Sequence, residues 1–222
     1  MLQWVVFELV GSKAFAERFY HDSEQRQSCS PGRRINIFYQ TLLSKKKFRA
    51  YIASFIVGTA IVAGAAIFWH KTMYHFKTVD TGKVYRSGTL SNIGLKIAHE
   101  LYGIKTIVNL RSEGEMQRDW YARQKEFARS NEMNMVDIPM LPDTPPDPAQ
   151  IDQFMSVVSN PDMLPVLIHC QAGIIRTGMM VSVYRIGVLG ESNGTVMAEL
   201  PWFGRTFEER PAVKDFILSY SP

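Results

Sequence analysis

Cysteine is nearly absent from this chain: Cys29 and Cys170 are the only two among 222 residues. So few thiols exclude a small disulfide-stapled scaffold. Histidine is scarce as well, and the five that occur are scattered, so no cluster has the spacing of metal ligands and the chemistry suggested below asks for no metal or cofactor. Repeats and low-complexity tracts are missing. The excess of basic residues is small, a formal net charge of +4, and sits largely beside an uncharged run, which leaves nucleic-acid binding without support.

That run, Tyr51 to Trp69, contains no charged residue. As a helix it would extend about 28 Å, close to the hydrocarbon thickness of a bilayer. Ser54 and Thr59 are its only polar side chains, so it lacks the polar stripe of a soluble core helix. Tyr51 and Trp69 stand where interfacial aromatics would. Phe68-Trp69-His70-Lys71 offers no small-residue cleavage site, which favours an uncleaved anchor over a signal peptide. We therefore assign residues 48–70 to a single transmembrane helix, with the lipid bilayer as partner of residues 51–69, and leave 1–47 as a poorly ordered extension with at most one short helix. Lys45, Lys46, Lys47 and Arg49 abut the span, which by the positive-inside rule keeps the extension cytoplasmic and exports the remainder, to the periplasm of a Gram-negative cell. Cys29 and Cys170 would then lie on opposite sides. The small residues Ala60 and Gly64 leave room for a weak homodimer.

The most informative stretch is His169-Cys170-Gln171-Ala172-Gly173-Ile174-Ile175-Arg176-Thr177. Val166 to Ile168 reads as a buried strand and Gly178 to Leu189 as an apolar helix, so the stretch between is a strand-to-helix loop. Such a loop ends at a helix N-terminus, where unpaired amides and the positive end of the dipole collect an anion. Residues Gln171, Ala172, Gly173, Ile174, Ile175, Arg176 and Thr177 form the candidate binding loop, with Gly173 free for a conformation that a Cβ would hinder. Arg176 supplies a planar fork for two oxygens of a phosphoryl group. Cys170 lies in this positive field and becomes a nucleophilic thiolate. Thr177 places a hydroxyl near the sulfur, and His169 braces the loop.

The stretch resembles the His-Cys-x5-Arg-Ser/Thr signature of the cysteine-dependent protein tyrosine phosphatase superfamily, and the surrounding chain looks like bacterial dual-specificity-type members. Val84-Tyr85-Arg86-Ser87-Gly88, Gly103 to Arg111, and Asp137-Ile138-Pro139 ahead of a Pro-rich loop follow in the family's order. The resemblance covers about residues 78–220. It implies hydrolysis of phosphate monoesters through a cysteinyl-phosphate, with a phosphorylated protein or a small phosphoester as substrate. It also implies a general acid on the loop after Ile138. Asp143 holds the family's place, with Asp147 or no aspartic acid at all as the alternatives, and Asp147 followed by Pro148 is also a good helix N-cap.

The uncharged Gln171, Ala172, Ile174 and Ile175 argue against a polyphosphorylated ring, and the two isoleucines either rim the cradle or pack under it. Arg86, Arg111, Arg118 and Arg205 are further cations that could reach the site. A phosphate-recognition module with little turnover and a phosphoinositide phosphatase are the competing readings.

The remaining pattern alternates strands and helices. Strands are expected near 84–86, 104–110, 135–138 and 165–169, and helices over 90–102, 119–130, 148–160, 178–189, 194–200 and 212–219. This is an α/β fold with a phosphatase-type central sheet flanked by helices and preceded by one transmembrane helix. A single domain over 78–222 suffices for one core.

Overall fold

A computed structural model describes residues 31–200, 207 and 209–222, with side chains from residue 44 onward. Residues 1–30, with Cys29, and the segment holding Trp202, Phe203, Gly204 and Arg205 lie outside the described residues. The first described helix, α1, runs Pro31–Thr72. It starts well ahead of the expected span, because Arg33 to Lys47 continues as helix instead of the loose extension read from the sequence. Within it, Ser44–Thr72 is long and apolar enough to cross a membrane, and none of that stretch's most apolar window is buried within the protein. Thr59 returns its hydroxyl to the Phe55 carbonyl at 2.9 Å, which hides the polar group inside the helix's own backbone.

Residues 63–222 form a compact unit around a five-stranded sheet. Its strands are β1 (Lys77–Asp80), β2 (Val84–Ser87), β3 (Thr106–Asn109), β4 (Asn134–Asp137) and β5 (Val166–His169), in the order β1-β2-β5-β3-β4. The β1-β2 pair is antiparallel; the other pairings are parallel. The helices of this unit are α2 (Asn92–Tyr102), α3 (Glu113–Met116), α4 (Asp119–Ser130), α5 (Pro148–Val158), α6 (Ile175–Gly187), α7 (Asn193–Glu199) and α8 (Pro211–Ser219).

Alternation along the strands builds two cores. Val84, Val108, Val166 and Ile168 face a cluster with Phe154, Met179, Met180 and Ile217 from α5, α6 and α8, whereas Tyr85, Ile107 and Leu167 face Leu95, Ala98 and Ala128 from α2 and α4. Both faces are covered, which is why Ile107-Val108 and Val166 to Ile168 read as apolar runs. The chain lays β2, β3 and β4 down first and then inserts β5 between β2 and β3. The ends of β2 and β3 therefore flank whatever follows β5, at a switch point where α/β sheets bind ligands.

The sequence missed the short strand β1 and the one-turn α3. α6 begins at Ile175, inside the candidate loop and three residues before the expected start at Gly178. Caps set the other ends: Ser91 accepts from Gly94 N at 3.2 Å, and Gly103 closes α2 at φ 66°.

The end of α1 is packed into this unit. Thr72 and Met73 are buried, and a Cβ on Gly94 would stand 2.2 Å from the Thr72 carbonyl oxygen. Ala at this helical position would ordinarily gain up to about 1 kcal/mol over Gly. Backbone cannot yield as a flexible side chain does, so Gly94→Ala should instead destabilise by about 1–3 kcal/mol. A thermal unfolding midpoint equal to or above that of the parent chain would show that α2 does not bear on the end of α1.

Candidate active site

The loop after β5 is fixed from outside by its carbonyl groups. Thr89 Oγ1 donates to the Cys170 oxygen at 3.0 Å, and Thr89 N to the Gln171 oxygen at 3.0 Å. His75 Nδ1 lies 2.7 Å from the Ala172 oxygen, and Arg86 Nη2 donates to the Gly173 oxygen at 2.7 Å. Four consecutive carbonyls thus point away from the loop centre. In a trans peptide the N–H points opposite to the C=O, so the amides of residues 171 to 174 turn inward. The Gly173 amide accordingly donates to Cys170 Sγ at 3.2 Å. Gly173 has φ 71°, and a Cβ there would meet the Ser87 carbonyl oxygen at 2.3 Å, so conformation and space both demand glycine. Gly88 passes as close: a Cβ would lie 2.4 Å from the Tyr74 ring.

Cys170 is buried, and burial alone would push its thiol up. The Thr177 hydroxyl and amide, the Arg176 charge and the Gly173 amide outweigh that and move it below the ordinary thiol value. Thr177 Oγ1 is buried without a conventional hydrogen-bond partner, which leaves it to the sulfur. The N-terminus of α6 adds its dipole.

Arg176 is buried, and its guanidinium is held at one end. Nη1 donates to Glu115 Oε2 and, at 3.3 Å, to the Met140 carbonyl, while Nη2 reaches Glu115 Oε1 at 3.3 Å. This occupies the end-on fork. The side-on edge, Nε and the second hydrogen of Nη2, keeps two parallel donors for an anion. Glu115 accepts in addition from Ser112 N and Oγ at 3.0 and 2.9 Å and from Arg111 Nε at 3.0 Å. Burial raises the Glu115 carboxyl, but Arg176 and Ser112 bring it down to about 2.

His169 is wholly buried. Its Nε2 lies 3.1 Å from Gln124 Oε1, and burial lowers it to about 4, so it is a neutral brace and no proton donor at neutral pH. Arg86 lies behind the loop rather than in it: burial lowers it to about 10, against the pull of Cys170, and it stays charged. Arg111 is buried, donates to Thr89 Oγ1 at 3.1 Å and sits 4.0 Å over the Trp120 ring, while Arg118 is exposed. Tyr121 donates to Asp137 at 2.6 Å, and Trp120 Nε1 donates to the Glu115 carbonyl at 3.0 Å. Ile174 and Ile175 are half-buried, each packed in part against the core.

Asp143 is exposed on the loop between β4 and α5 and pairs with Arg210 Nε. Asp147 is engaged elsewhere: it caps α5, accepting from Gln150 N at 2.8 Å while Gln150 Oε1 accepts from Asp147 N at 2.9 Å. A hollow of about 560 Å³ lies between the α3 turn and this loop, lined by Ser112, Gly114, Met140, Leu141 and Thr144 among others.

Glu115 and His75 were not singled out as site residues. Ser112-Glu113-Gly114-Glu115 carries the spacing of a capping box and was the available signal for the first. Nothing in the sequence points from His75 to residue 172. Among the described residues no group of His, Cys, Asp and Glu could hold a metal ion.

Residues 69–201 match the family described as DSP-PTPase phosphatase fused to NAD+ kinase. The chain is 33% identical over 101 residues to "Probable NAD kinase 2, chloroplastic" of Oryza sativa subsp. japonica and 31% identical over 101 residues to "NAD kinase 2, chloroplastic" of Arabidopsis thaliana. Each alignment covers 46% of this chain and 10% of the relative, so the chain spans about a tenth of the length of those relatives. In structure it is similar to the core catalytic domain of PP-IP phosphatase SIW14 from S. cerevisiae, with TM-score 0.57, 22% identity, and coverage of 66% of this chain and 85% of that one. It is also similar to P. aeruginosa TpbA in complex with pTyr, with TM-score 0.54, 18% identity, and coverage of 67% and 85%. At these identities the likeness is one of fold.

Because Glu115 titrates near 2 instead of its ordinary 4.5, its contribution to stability is complete above about pH 4.5 and is lost as pH falls through about 2. Glu115→Gln leaves Arg176 buried without its counter-ion and should lower the unfolding midpoint at pH 7, with the difference from the parent narrowing between pH 4.5 and 2. A difference that does not change with pH would show that the carboxylate charge is not what holds Arg176.

Proposed function

Because the chain belongs to the family of DSP-PTPase phosphatases fused to NAD+ kinase, within the cysteine-dependent protein tyrosine phosphatase superfamily, we propose that it hydrolyses phosphate monoesters through a cysteinyl-phosphate, as a membrane-anchored enzyme. The observation that carries the reading is the Cys170 sulfur held below its ordinary proton affinity inside a loop whose amides face inward.

The Cys170 thiolate attacks phosphorus in line with the ester oxygen. The S–P bond forms as the P–O bond breaks, and three phosphoryl oxygens lie on the loop amides and the side-on edge of Arg176. Asp143 gives its proton to the departing oxygen. It then takes one from a water that attacks phosphorus, the S–P bond breaks, inorganic phosphate forms and the thiolate returns, steadied by the Thr177 hydroxyl. For these steps the Asp143 loop leaves the Arg210 pair and closes over the bound substrate. The capping duty of Asp147 supports Asp143 as the acid.

Phosphotyrosine or a related phosphoprotein is the substrate class the uncharged positions Gln171, Ala172, Ile174 and Ile175 favour, and the neighbour complexed with pTyr supports it. The likeness to a protein named PP-IP phosphatase supports a second reading, a polyphosphorylated substrate. The missing loop cations weigh against it, since each added phosphate needs its own counter-charge.

With the full chain in detergent, p-nitrophenyl phosphate should be turned over, and Cys170→Ser should abolish turnover. Asp143→Asn should reduce kcat by about 100-fold on a phosphotyrosine peptide and by less on p-nitrophenyl phosphate, whose leaving group needs little protonation. A parent chain that binds phosphate without turnover would replace the enzyme with a recognition module. Equal losses on both substrates would remove Asp143 as the acid.

The length and apolar composition of Ser44–Thr72 support a membrane anchor, and the positive charges from Lys45 to Arg49 support a catalytic unit outside the cytoplasm. Protease added to sealed inside-out membrane vesicles should leave residues 78–222 intact. Their digestion there would reverse the orientation.

A further inference from the structure

Three of the four carbonyls that orient the catalytic loop are held from β2 and the turn after it, the segment whose motif the sequence already marked. The fourth, on Ala172, is held from elsewhere. His75 reaches it from the turn Met73–Phe76, which follows directly on α1. This turn is built into the catalytic unit: the Tyr74 carbonyl accepts from Gly88 N at 2.8 Å, Phe76 N donates to the Met73 carbonyl at 3.0 Å, and Met73 is buried. The His75 ring stacks on Tyr74 with centroids 4.2 Å apart. Its backbone sits at φ 52°, in the left-handed region that a residue with a Cβ adopts at a cost.

The oxygen of Ala172 and the amide of Gly173 belong to one peptide plane. At one end of that plane stands His75 Nδ1, 2.7 Å from the oxygen; at the other stands Cys170 Sγ, 3.2 Å from the amide nitrogen. A carbonyl only accepts, so Nδ1 carries the proton. A donor on the carbonyl fixes the tilt of the plane and polarises its N–H toward the sulfur. We propose that His75 is a positioning residue that acts on the Cys170 thiolate through the Ala172–Gly173 peptide, so that catalysis depends on the turn joining the apolar helix to the catalytic unit. The proposal deepens the phosphatase reading and rests on it. The family match begins at residue 69, within the last turn of α1, which places this turn inside the matched domain.

Two substitutions separate the ring from the backbone it stands on. His75→Gly keeps a positive φ at no strain and removes the donor; His75→Asn tolerates the same backbone and places an amide N–H where Nδ1 stood. The readout is the pH dependence of Cys170 alkylation by iodoacetamide in the full chain in detergent, which needs no substrate, with kcat and KM for p-nitrophenyl phosphate beside it. In His75→Gly the alkylation midpoint should rise by about one unit, equivalent to about tenfold less thiolate near neutral pH. kcat should fall by a similar factor with KM nearly unchanged, and His75→Asn should recover most of both. Should the glycine variant not fold, His75→Leu, which keeps bulk against Tyr74 without a donor, takes its place with the same expectation. A donor-free variant that folds and titrates as the parent does would overturn the proposal, as would His75→Asn behaving like the donor-free variants. An ordinary thiol midpoint in the parent chain itself would instead remove the thiolate reading on which both proposals stand.

Discussion

A peptide unit cannot point its oxygen and its hydrogen the same way, and the catalytic loop is organised by that constraint. Donors placed behind the loop hold the oxygens of residues 170 to 173 outward, and the amides of the following residues are thereby turned toward the sulfur. The sheet order supplies the donors. With β5 inserted between β2 and β3, the residues that end and follow β2, Arg86 and Thr89, lie along one side of the loop, and Asn109 to Glu115 approach from the other. Gly173 and Gly88 exist because backbone must pass backbone or a ring at distances that leave no room for a Cβ.

The charges follow from that scaffold. A thiolate in a buried loop needs positive partners that do not themselves swing onto the sulfur. Arg176 is restrained by Glu115, which takes the end-on face of the guanidinium and not the side-on one. Glu115 is in turn pinned by Ser112 and Arg111, and Arg111 lies flat on Trp120. Replacing such a network by apolar packing would often cost nothing in stability, so its value lies in keeping one orientation of one guanidinium. His169 contributes the opposite way: neutral because buried, it fixes the strand end without adding a proton that titrates near the working pH.

Much of this was legible in the sequence, for physical reasons. Both faces of the sheet are covered, so the centres of β3 and β5 stood out as apolar runs, and the strand-loop-helix around Cys170 followed from the short run Val166 to Ile168 ahead of the longer apolar stretch from Gly178. Asp147 declared itself as a cap through Pro148, and the structure adds Gln150 as its capping-box partner. β1 did not, because Lys77–Asp80 is an edge strand, half exposed, with a shifted register. The start of α6 was read late because Ile175 and Thr177 are β-branched, weaker helix formers that tertiary contacts hold in place. Ile174 and Ile175 were ambiguous for a related reason: apolar side chains in a loop look alike whether they face a ligand or the core, and here they are half-buried, with part of each against the core. Long-range pairs leave no periodic trace, so Glu115 with Arg176 and His75 with Ala172 emerged only from the fold.

Read along the chain, the apolar helix and the catalytic loop are separate features with about a hundred residues between them. Within the compact unit of residues 63–222, the end of that helix lies near the loop. From Trp69 the helix rises through Thr72, at about 1.5 Å per residue, and the next turn already delivers His75 to the loop. Within the compact unit Thr72 and Met73 are buried, the turn that follows is hydrogen-bonded and stacked, and Gly94 closes on the Thr72 carbonyl and Gly88 on the Tyr74 ring. Whatever shifts the end of α1 must therefore be taken up by α2, by the Val84 to Thr89 segment or by the Ala172 carbonyl. Two of those three define where the Cys170 sulfur finds its amides.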